Sequence, residues 1–129
     1  MSSEINLALI GASGVVGKKI ISLLEKKNIK VKNFYPLGSS SVGDKISFND
    51  QIFEIESLSN FDCASVDVAI FSAGSSVARD YAPDFVKKGV YVVDLSSEFR
   101  YEENIPLIIP EINPQALIDA DGPILIANP

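Results

Sequence analysis

The chain has 129 residues, 47% of them hydrophobic, and a formal net charge of −6; this predicts one domain with a buried core and argues against a nucleic-acid surface, which needs clustered cations. Its single cysteine, Cys63, excludes an internal disulfide and fits a reducing, cytoplasmic compartment, and the absence of histidine removes the commonest metal ligand, so no metal site is predicted. No apolar run is long enough to span a membrane, so no membrane partner is expected either.

Strand-like and helical patterns alternate through the first half of the chain. Alternating apolar and polar residues on both sides of Asn49-Asp50 predict a hairpin. The predicted elements are, in order, a strand over Ile5–Ile10, a helix over Val15–Lys27, a strand over Val31–Leu37, and hairpin strands over Lys45–Phe48 and Gln51–Ile55.

The second half continues the alternation, and Gly89 is predicted to end its long helix. Pro83 predicts either a kink in that helix or the start of a second, short one. The predicted elements are a strand over Val66–Phe71, a helix over Val77–Lys88, strands over Val90–Val93 and Leu107–Ile109, a short helix over Asn113–Ala120, and a strand over Ile124–Ala127. The pattern predicts an α/β fold: a Rossmann-like, doubly wound and mostly parallel sheet with helices on both faces.

A strand stands immediately before the last residues, Asn128-Pro129. Ligands and catalytic groups lie at the carboxyl ends of strands in such sheets, so a functional loop is expected to begin there. We therefore expect residues 1–129 to be a single domain cut from a longer protein. The alternative is a harmless C-terminal tail.

A glycine-rich turn, Gly11-Ala12-Ser13-Gly14-Val15-Val16-Gly17, joins the first strand to the first helix. Gly11 permits a tight turn, Gly14 removes a Cβ where a pyrophosphate approaches, and Gly17 lets the helix pack closely on the strand. The free amides and dipole of the helix N-terminus favour an anion there. This context predicts a dinucleotide site, and the alternative is a plain turn with packing glycines.

The cofactor is indicated by the residues that end the second strand, Leu37-Gly38-Ser39-Ser40-Ser41. An NAD site usually has Asp or Glu here, and no acid occurs before Asp44. Hydroxyl groups tolerate a 2′-phosphate, which favours NADP slightly, although the arginine that usually clamps one is missing. NAD stays open as the cofactor, and the serines alone also fit a flexible loop.

Five segments, taken together, resemble the aspartate-β-semialdehyde dehydrogenase family. They are GASGVVG, FSAGSSVARDYAP, VVDLSSEFR, PLIIPEINP and ILIANP, in that family's order and approximate spacing. The resemblance spans residues 5–129. It implies the NADPH-dependent conversion of L-aspartyl-4-phosphate to aspartate semialdehyde with release of phosphate, in the biosynthesis of lysine, threonine and methionine.

The resemblance also implies roles for individual residues. Ser13, Gly14, Val15 and Val16 would line the pyrophosphate, Ser40 and Ser41 the adenosine ribose, and Ser72, Ala73 and Gly74 the cofactor further along. Arg100 would hold the substrate phosphate, a role suited to a guanidinium because it can bind phosphate through two parallel hydrogen bonds. From the residues alone, an exposed ion pair of Arg100 with Glu102 or Glu103 is the simpler interpretation.

The resemblance places no catalytic residue within this chain. The family's nucleophile lies in an Asn-Cys pair directly after Ala-Asn-Pro, and its acid/base histidine lies in a later domain. Cys63 matches no family motif and is expected to be a buried thiol rather than a nucleophile. The parent protein is expected to be a homodimer or homotetramer, and this domain alone is expected to be inactive.

Three departures from the family pattern keep alternatives open. The family often has an arginine near Ser40 that grips the 2′-phosphate, and this chain does not. Ser75 replaces a second glycine after Gly74, and Asp94-Leu95-Ser96-Ser97 replaces the family's Asp-Asn-Ser-Ser. A non-catalytic nucleotide-binding relative and an N-acetylglutamyl-phosphate reductase are the competing interpretations. FSAGSS and PLIIPEINP fit the second of these less well.

Overall fold

The computed structural model describes residues 4–96, 98 and 125–127. Six strands of this part of the chain form one parallel sheet in the order β5-β2-β1-β6-β7-β8, and β3 and β4 form a separate antiparallel hairpin. The strands are β1 (Ile5–Ile10), β2 (Val31–Gly38), β3 (Lys45–Phe48), β4 (Gln51–Glu54), β5 (Glu56–Ser57), β6 (Val68–Phe71), β7 (Tyr91–Asp94) and β8 (Leu125–Ala127), and the helices are α1 (Val15–Lys26) and α2 (Ser75–Lys87).

The sheet separates two apolar cores, one on each face. Along β1, Leu7 and Leu9 belong to the core that contains Ile21 of α1, whereas Ala8 and Ile10 belong to the core that contains Phe85 of α2. Successive side chains of a strand point to opposite faces, so a strand buried on both sides needs a continuous apolar run. This confirms the predicted doubly wound α/β sheet.

β1 lies at the point where the strand order reverses. Its neighbours are β2, which follows it through α1, and β6, which comes much later in the chain. The connection that leaves β1 leads to α1 on one face of the sheet, and the one that leaves β6 leads to α2 on the other face. A crevice therefore opens at the carboxyl ends of these strands, where doubly wound proteins bind ligands.

The structure corrects several predicted boundaries. α2 begins at Ser75 and continues without interruption through Pro83. The alternative prediction, a second helix starting at that proline, was therefore wrong. β6 begins at Val68 rather than Val66, and the short β5 with the two 3₁₀ turns at Leu58–Asn60 and Cys63–Ser65 was not predicted. Such short elements lack the length that makes periodicity visible.

The hairpin and the helix stop were predicted correctly. Asn49 and Asp50 have φ of 51° and 64°, the left-handed pair that a two-residue hairpin turn requires. Gly89 follows α2 with φ of 93°. The strand predicted at 107–109 and the helix predicted at 113–120 lie outside the described residues. Neither helix of the described part is long and apolar enough to cross a membrane.

Candidate functional site

The glycine turn after β1 is held tightly against the neighbouring strands. Gly11 has φ of 88°, and its amide donates to the carbonyl of Leu37 at the end of β2 (2.9 Å). A Cβ on Gly11 would stand 2.9 Å from the carbonyl carbon and oxygen of Ser72, and one on Gly17 would overlap the carbonyl oxygen of Gly11. Both positions therefore need glycine for the fold itself.

Gly14 differs from the other two glycines of the turn. Its backbone is extended, with φ of −74° and ψ of 171°, a conformation open to any residue. A Cβ here would meet only the Gly11 carbonyl oxygen, at 3.5 Å, which is an ordinary van der Waals contact. The protein thus leaves room for a side chain at this exposed position, and its own packing gives no reason for glycine.

The N-terminus of α1 is open to an anion. Gly14 is the N-cap, no side chain caps the helix, and the first turn has no acidic residue. The amides at a helix start lack partners within the helix, and the dipole adds partial positive charge there. Val15 and Val16, in the same turn, are 76% and 49% exposed. The helix therefore presents donors beside an uncovered apolar surface.

The segment after β6 forms the opposite wall of the crevice. The Ser72 amide and hydroxyl both donate to the Ile10 carbonyl, each at 2.8 Å, so this side chain fastens β6 to β1. Ala73 and Gly74 are exposed beyond it, and Gly74, with φ of 96°, is the N-cap of α2 without a side-chain cap. The structure thus brings the predicted residues Ser72 and Ala73 close to Gly11, and Gly74 follows them at the start of α2.

A cavity of about 130 Å³ lies between the ends of β1 and β2, β5, and α2. Of the predicted serines, Ser39 lines it, Ser40 is exposed, and Ser41 is half-buried with its Oγ over Gly38, 2.7 Å from where a Cβ would be. Its lining residues are Ile10, Gly38, Ser39, Ser57, Leu58, Ser59, Ala73, Val77 and Tyr81.

A larger hollow, of about 820 Å³, lies elsewhere, between the β3–β4 hairpin and the outer edge of β2. Its walls include Phe34, Ile52, Glu54 and Asp62. We place the site at the smaller cavity because its walls include Ile10 and Gly38, at the carboxyl ends of β1 and β2, and Ala73, just before α2.

The sequence analysis named Asp94 within the segment Asp94-Leu95-Ser96-Ser97 but did not predict its burial. It ends β7, is fully buried, and its two carboxylate oxygens accept from the Ser96 amide (3.0 Å) and the Ser96 hydroxyl (2.7 Å). The Ser96 hydroxyl in turn accepts from the Glu98 amide (3.2 Å), and Glu98 pairs with Arg79 of α2 (3.5 Å). The signal was a charged residue ending a buried apolar strand. This network fixes the chain as it leaves the sheet.

Of the two remaining residues that the sequence analysis discussed, Cys63 is buried and Arg100 lies outside the described residues. Cys63 is buried in a 3₁₀ turn before β6, and burial raises the pKa of its thiol, as expected for an inert cysteine. Within the part of the chain described, no group of three or more His, Cys, Asp or Glu residues could hold a metal ion.

Comparison with protein families gives one match across most of the chain. Residues 6–120 match the family model described as the semialdehyde dehydrogenase NAD binding domain. Aspartate-semialdehyde dehydrogenases from Legionella pneumophila and Shewanella violacea are 44% and 42% identical to this chain over 130 residues. Each match covers 100% of this chain but 38% of the relative, so the chain spans well under half of their length.

Two solved structures of aspartate semialdehyde dehydrogenases have the same fold as this chain. A crystal structure of aspartate semialdehyde dehydrogenase II from Vibrio cholerae complexed with ASA has a TM-score of 0.93 and 35% identity, covering 98% of this chain and 42% of that one. The Candida albicans aspartate semialdehyde dehydrogenase with NADP has a TM-score of 0.75 and 24% identity, covering 96% and 42%, a likeness of fold alone.

Proposed function

The chain belongs to the semialdehyde dehydrogenase family through its NAD binding domain, and from this we propose that it is the NADP-binding domain of an aspartate-semialdehyde dehydrogenase. The family match supports an NAD(P) nucleotide as the cofactor. We propose NADP, with NAD as the alternative, because the loop after β2 offers hydroxyl groups and no carboxylate before Asp44.

The observation that carries the proposal is the vacant space at Gly14. Gly11 and Gly17 are required by close contacts within the protein, but a Cβ on Gly14 has no atom nearer than 3.5 Å apart from its chain neighbours. Glycine at this exposed N-cap is explained if a pyrophosphate approaches the backbone of the uncapped helix. The donor set, made of backbone amides with no adjacent acid in the first turn, suits that anion.

Each part of the crevice would then have a task. The first-turn amides of α1 would bind the pyrophosphate. The exposed side chains of Val15 and Val16 would lie beside the pyrophosphate and exclude water from it. Ser39, Ser40 and Ser41 would meet the adenosine ribose, while Ala73 and Gly74 would flank the cofactor on the side of α2. When bound, the cofactor supplies the nicotinamide ring that exchanges a hydride with the substrate.

The parent protein would convert L-aspartyl-4-phosphate and NADPH to L-aspartate 4-semialdehyde, NADP and phosphate. In this proposal Arg100 binds the substrate phosphate, and the nucleophile and the acid/base come from parts of the parent beyond this chain. The domain by itself would bind cofactor without turning over substrate. The parent would be a cytoplasmic homodimer or homotetramer that supplies lysine, threonine and methionine biosynthesis.

Thermal unfolding tests the binding step on this chain. A ligand that binds only the folded state stabilises it by about 2.7 kcal/mol at one hundred times its Kd, so saturating NADPH should raise the Tm by several degrees. ATP at the same concentration is the control for general anion binding. No shift with NADPH or NADH would contradict the proposal.

The reaction is tested on the parent protein in the reverse direction. Aspartate semialdehyde, phosphate and NADP should give reduced cofactor only when all three are present. Reduction that does not depend on phosphate, or cofactor binding without any reduction, would reject the proposed reaction while leaving the binding step intact.

A further inference from the structure

The large hollow between the β3–β4 hairpin and the outer edge of β2 has mainly apolar walls. Its volume of about 820 Å³ is within the range of ligand sites, roughly 300–1,000 Å³. Two of its apolar side chains, Ile52 and Val42, are 68% and 49% exposed, and its aromatic walls are Phe34, Phe53 and Phe61. Uncovered apolar surface rimmed by polar groups is typical of interaction sites.

The aromatic walls are held by packing within the protein. The rings of Phe34 and Phe53 meet edge to face with their centroids 5.2 Å apart, which fixes the hairpin against β2. The ring of Phe61 lies 5.3 Å from that of Tyr35, which fixes the segment before β6 against the same strand. The hollow is therefore formed without a partner, so a partner would bind to a surface that is already ordered.

In the described part of the chain, most of the outer edge of β2 has no strand partner. β5 pairs only with Leu37 and Gly38, the last two residues of β2. Pro36, which lines the hollow, has no amide to donate, and a proline at a sheet edge hinders the addition of another strand. A partner is therefore expected to insert side chains into the hollow rather than to extend the sheet.

The charged groups of the hollow are acidic. Of the described residues that line it, Glu54, Glu56 and Asp62 carry carboxylates, and none is lysine or arginine. Glu54 pairs with Lys45 (3.3 Å), but both side chains are at least 60% exposed, so that pair is weak. A cationic side chain between these carboxylates and the aromatic rings would gain both Coulombic and cation–π attraction.

We propose that the hollow binds a peptide segment of a partner protein in which arginine or lysine side chains alternate with apolar ones. The apolar side chains of the segment would pack on Ile52, Val42 and the aromatic walls, and its cations would lie beside Glu56. An acidic segment would be repelled by the carboxylates. Cofactor binding has no role in this interaction, which can therefore succeed or fail independently of the proposed function.

Fluorescence anisotropy with labelled, C-terminally amidated peptides tests the interaction on the wild-type chain. The probe is Leu-Arg-Leu-Arg-Leu-Arg, and its controls carry glutamate in place of arginine or serine in place of leucine. At about 0.15 M salt, the arginine–leucine peptide should bind with a Kd on the order of 10–100 μM, and each control peptide should bind at least about tenfold more weakly.

Two matched pairs of variants locate the binding. Glu56→Lys and Glu4→Lys change the net charge equally, but Glu4 is exposed before β1 and lines a different hollow. Ile52→Ser and Leu23→Ser each remove an exposed apolar side chain, the second from α1. Because salt limits charge effects to about 8 Å, Glu56→Lys and Ile52→Ser should each weaken binding by about fivefold or more, and the other two variants should stay within about twofold of the wild type.

Circular dichroism is expected to show all four variants folded, since the altered side chains are exposed. No binding of the arginine–leucine peptide up to about 1 mM would overturn the proposal. Equal losses from Glu56→Lys and Glu4→Lys would also overturn it, because the attraction would then be that of a chain with a net charge of −6. If light scattering shows wild-type dimers that Ile52→Ser abolishes and Leu23→Ser does not, the occupant is a second copy, and the partner peptide is refuted.

Discussion

Two alanine substitutions in the glycine turn separate what the fold requires from what the ligand requires. Gly17→Ala and Gly14→Ala add the same methyl group three residues apart, at the start of α1. A Cβ at position 17 would overlap the Gly11 carbonyl oxygen and stand 2.9 Å from that of Ala12, whereas one at position 14 meets its nearest atom at 3.5 Å. Gly17→Ala should therefore cost stability, and Gly14→Ala should cost binding.

The magnitude for Gly17→Ala follows from what can move. Alanine in a helix interior gains up to about 1 kcal/mol over glycine. Against this, overpacking costs about 1–3 kcal/mol or more, and the atoms in the way are backbone atoms of a turn held by the hydrogen bond from Gly11 to Leu37. We expect a net loss of about 2 kcal/mol, which for a domain of this size lowers the Tm by roughly 6–10 °C.

For Gly14→Ala the terms nearly cancel in the free protein. A compatible glycine-to-alanine change gains about 0.4–1 kcal/mol by restricting the unfolded chain, and alanine is a poorer N-cap than glycine by several tenths of a kcal/mol. The Tm should stay within about 2 °C of the wild type. The methyl group would occupy the approach of the pyrophosphate to the helix amides, so the cofactor Kd should rise tenfold or more, equal to about 1.4 kcal/mol.

Thermal denaturation followed by circular dichroism gives the stabilities, and titration calorimetry with NADPH gives the Kd values. Since Gly14→Ala keeps the fold, weaker binding by that variant cannot be attributed to unfolding. The reasoning would be refuted if Gly14→Ala bound NADPH as tightly as the wild type, or if it lost as much stability as Gly17→Ala.

Three further predictions concern stability away from the glycine turn. Ser96→Ala should cost about 1–3 kcal/mol in urea unfolding, because it leaves a fully buried Asp94 oxygen without its hydroxyl donor; an unchanged midpoint would mean that the network contributes nothing. Burial raises the pKa of the Cys63 thiol, so this thiol should react with a disulfide reagent at pH 8 only at the rate of unfolding, and rapid labelling of the folded chain would disprove this. The stability that the neutral, buried thiol contributes should hold at neutral pH and decline as the pH rises through the raised pKa. Asp50→Gly should raise stability by about 0.5 kcal/mol, because φ at this position is 64°; a loss of stability in thermal denaturation would show that the aspartate side chain matters more than the backbone.

Predictions from the sequence succeeded where the cause is local. The left-handed turn at Asn49-Asp50, the helix stop at Gly89 and the tight turn at Gly11 all follow from which residues accept positive φ. The continuous apolar run Ile5–Ile10 similarly implied a strand buried on both faces. Pro83 was the ambiguous case, because neighbouring residues alone do not show whether packing holds a helix together across a proline.

Residues far apart in the chain decided the rest. The Ser72 hydroxyl donates to the carbonyl of Ile10, 62 positions earlier in the chain. Asp94 is buried at the end of β7, a strand that lies between β6 and β8 in the sheet. The cavity exists only because the ends of β2 and β5 are brought beside α2. The sequence alone determined the glycine turn at which we propose that a pyrophosphate binds, since the shapes of glycine, strand and helix are local properties. Only the tertiary structure decided which side chains surround the remainder of the ligand, because packing between distant segments sets those neighbours.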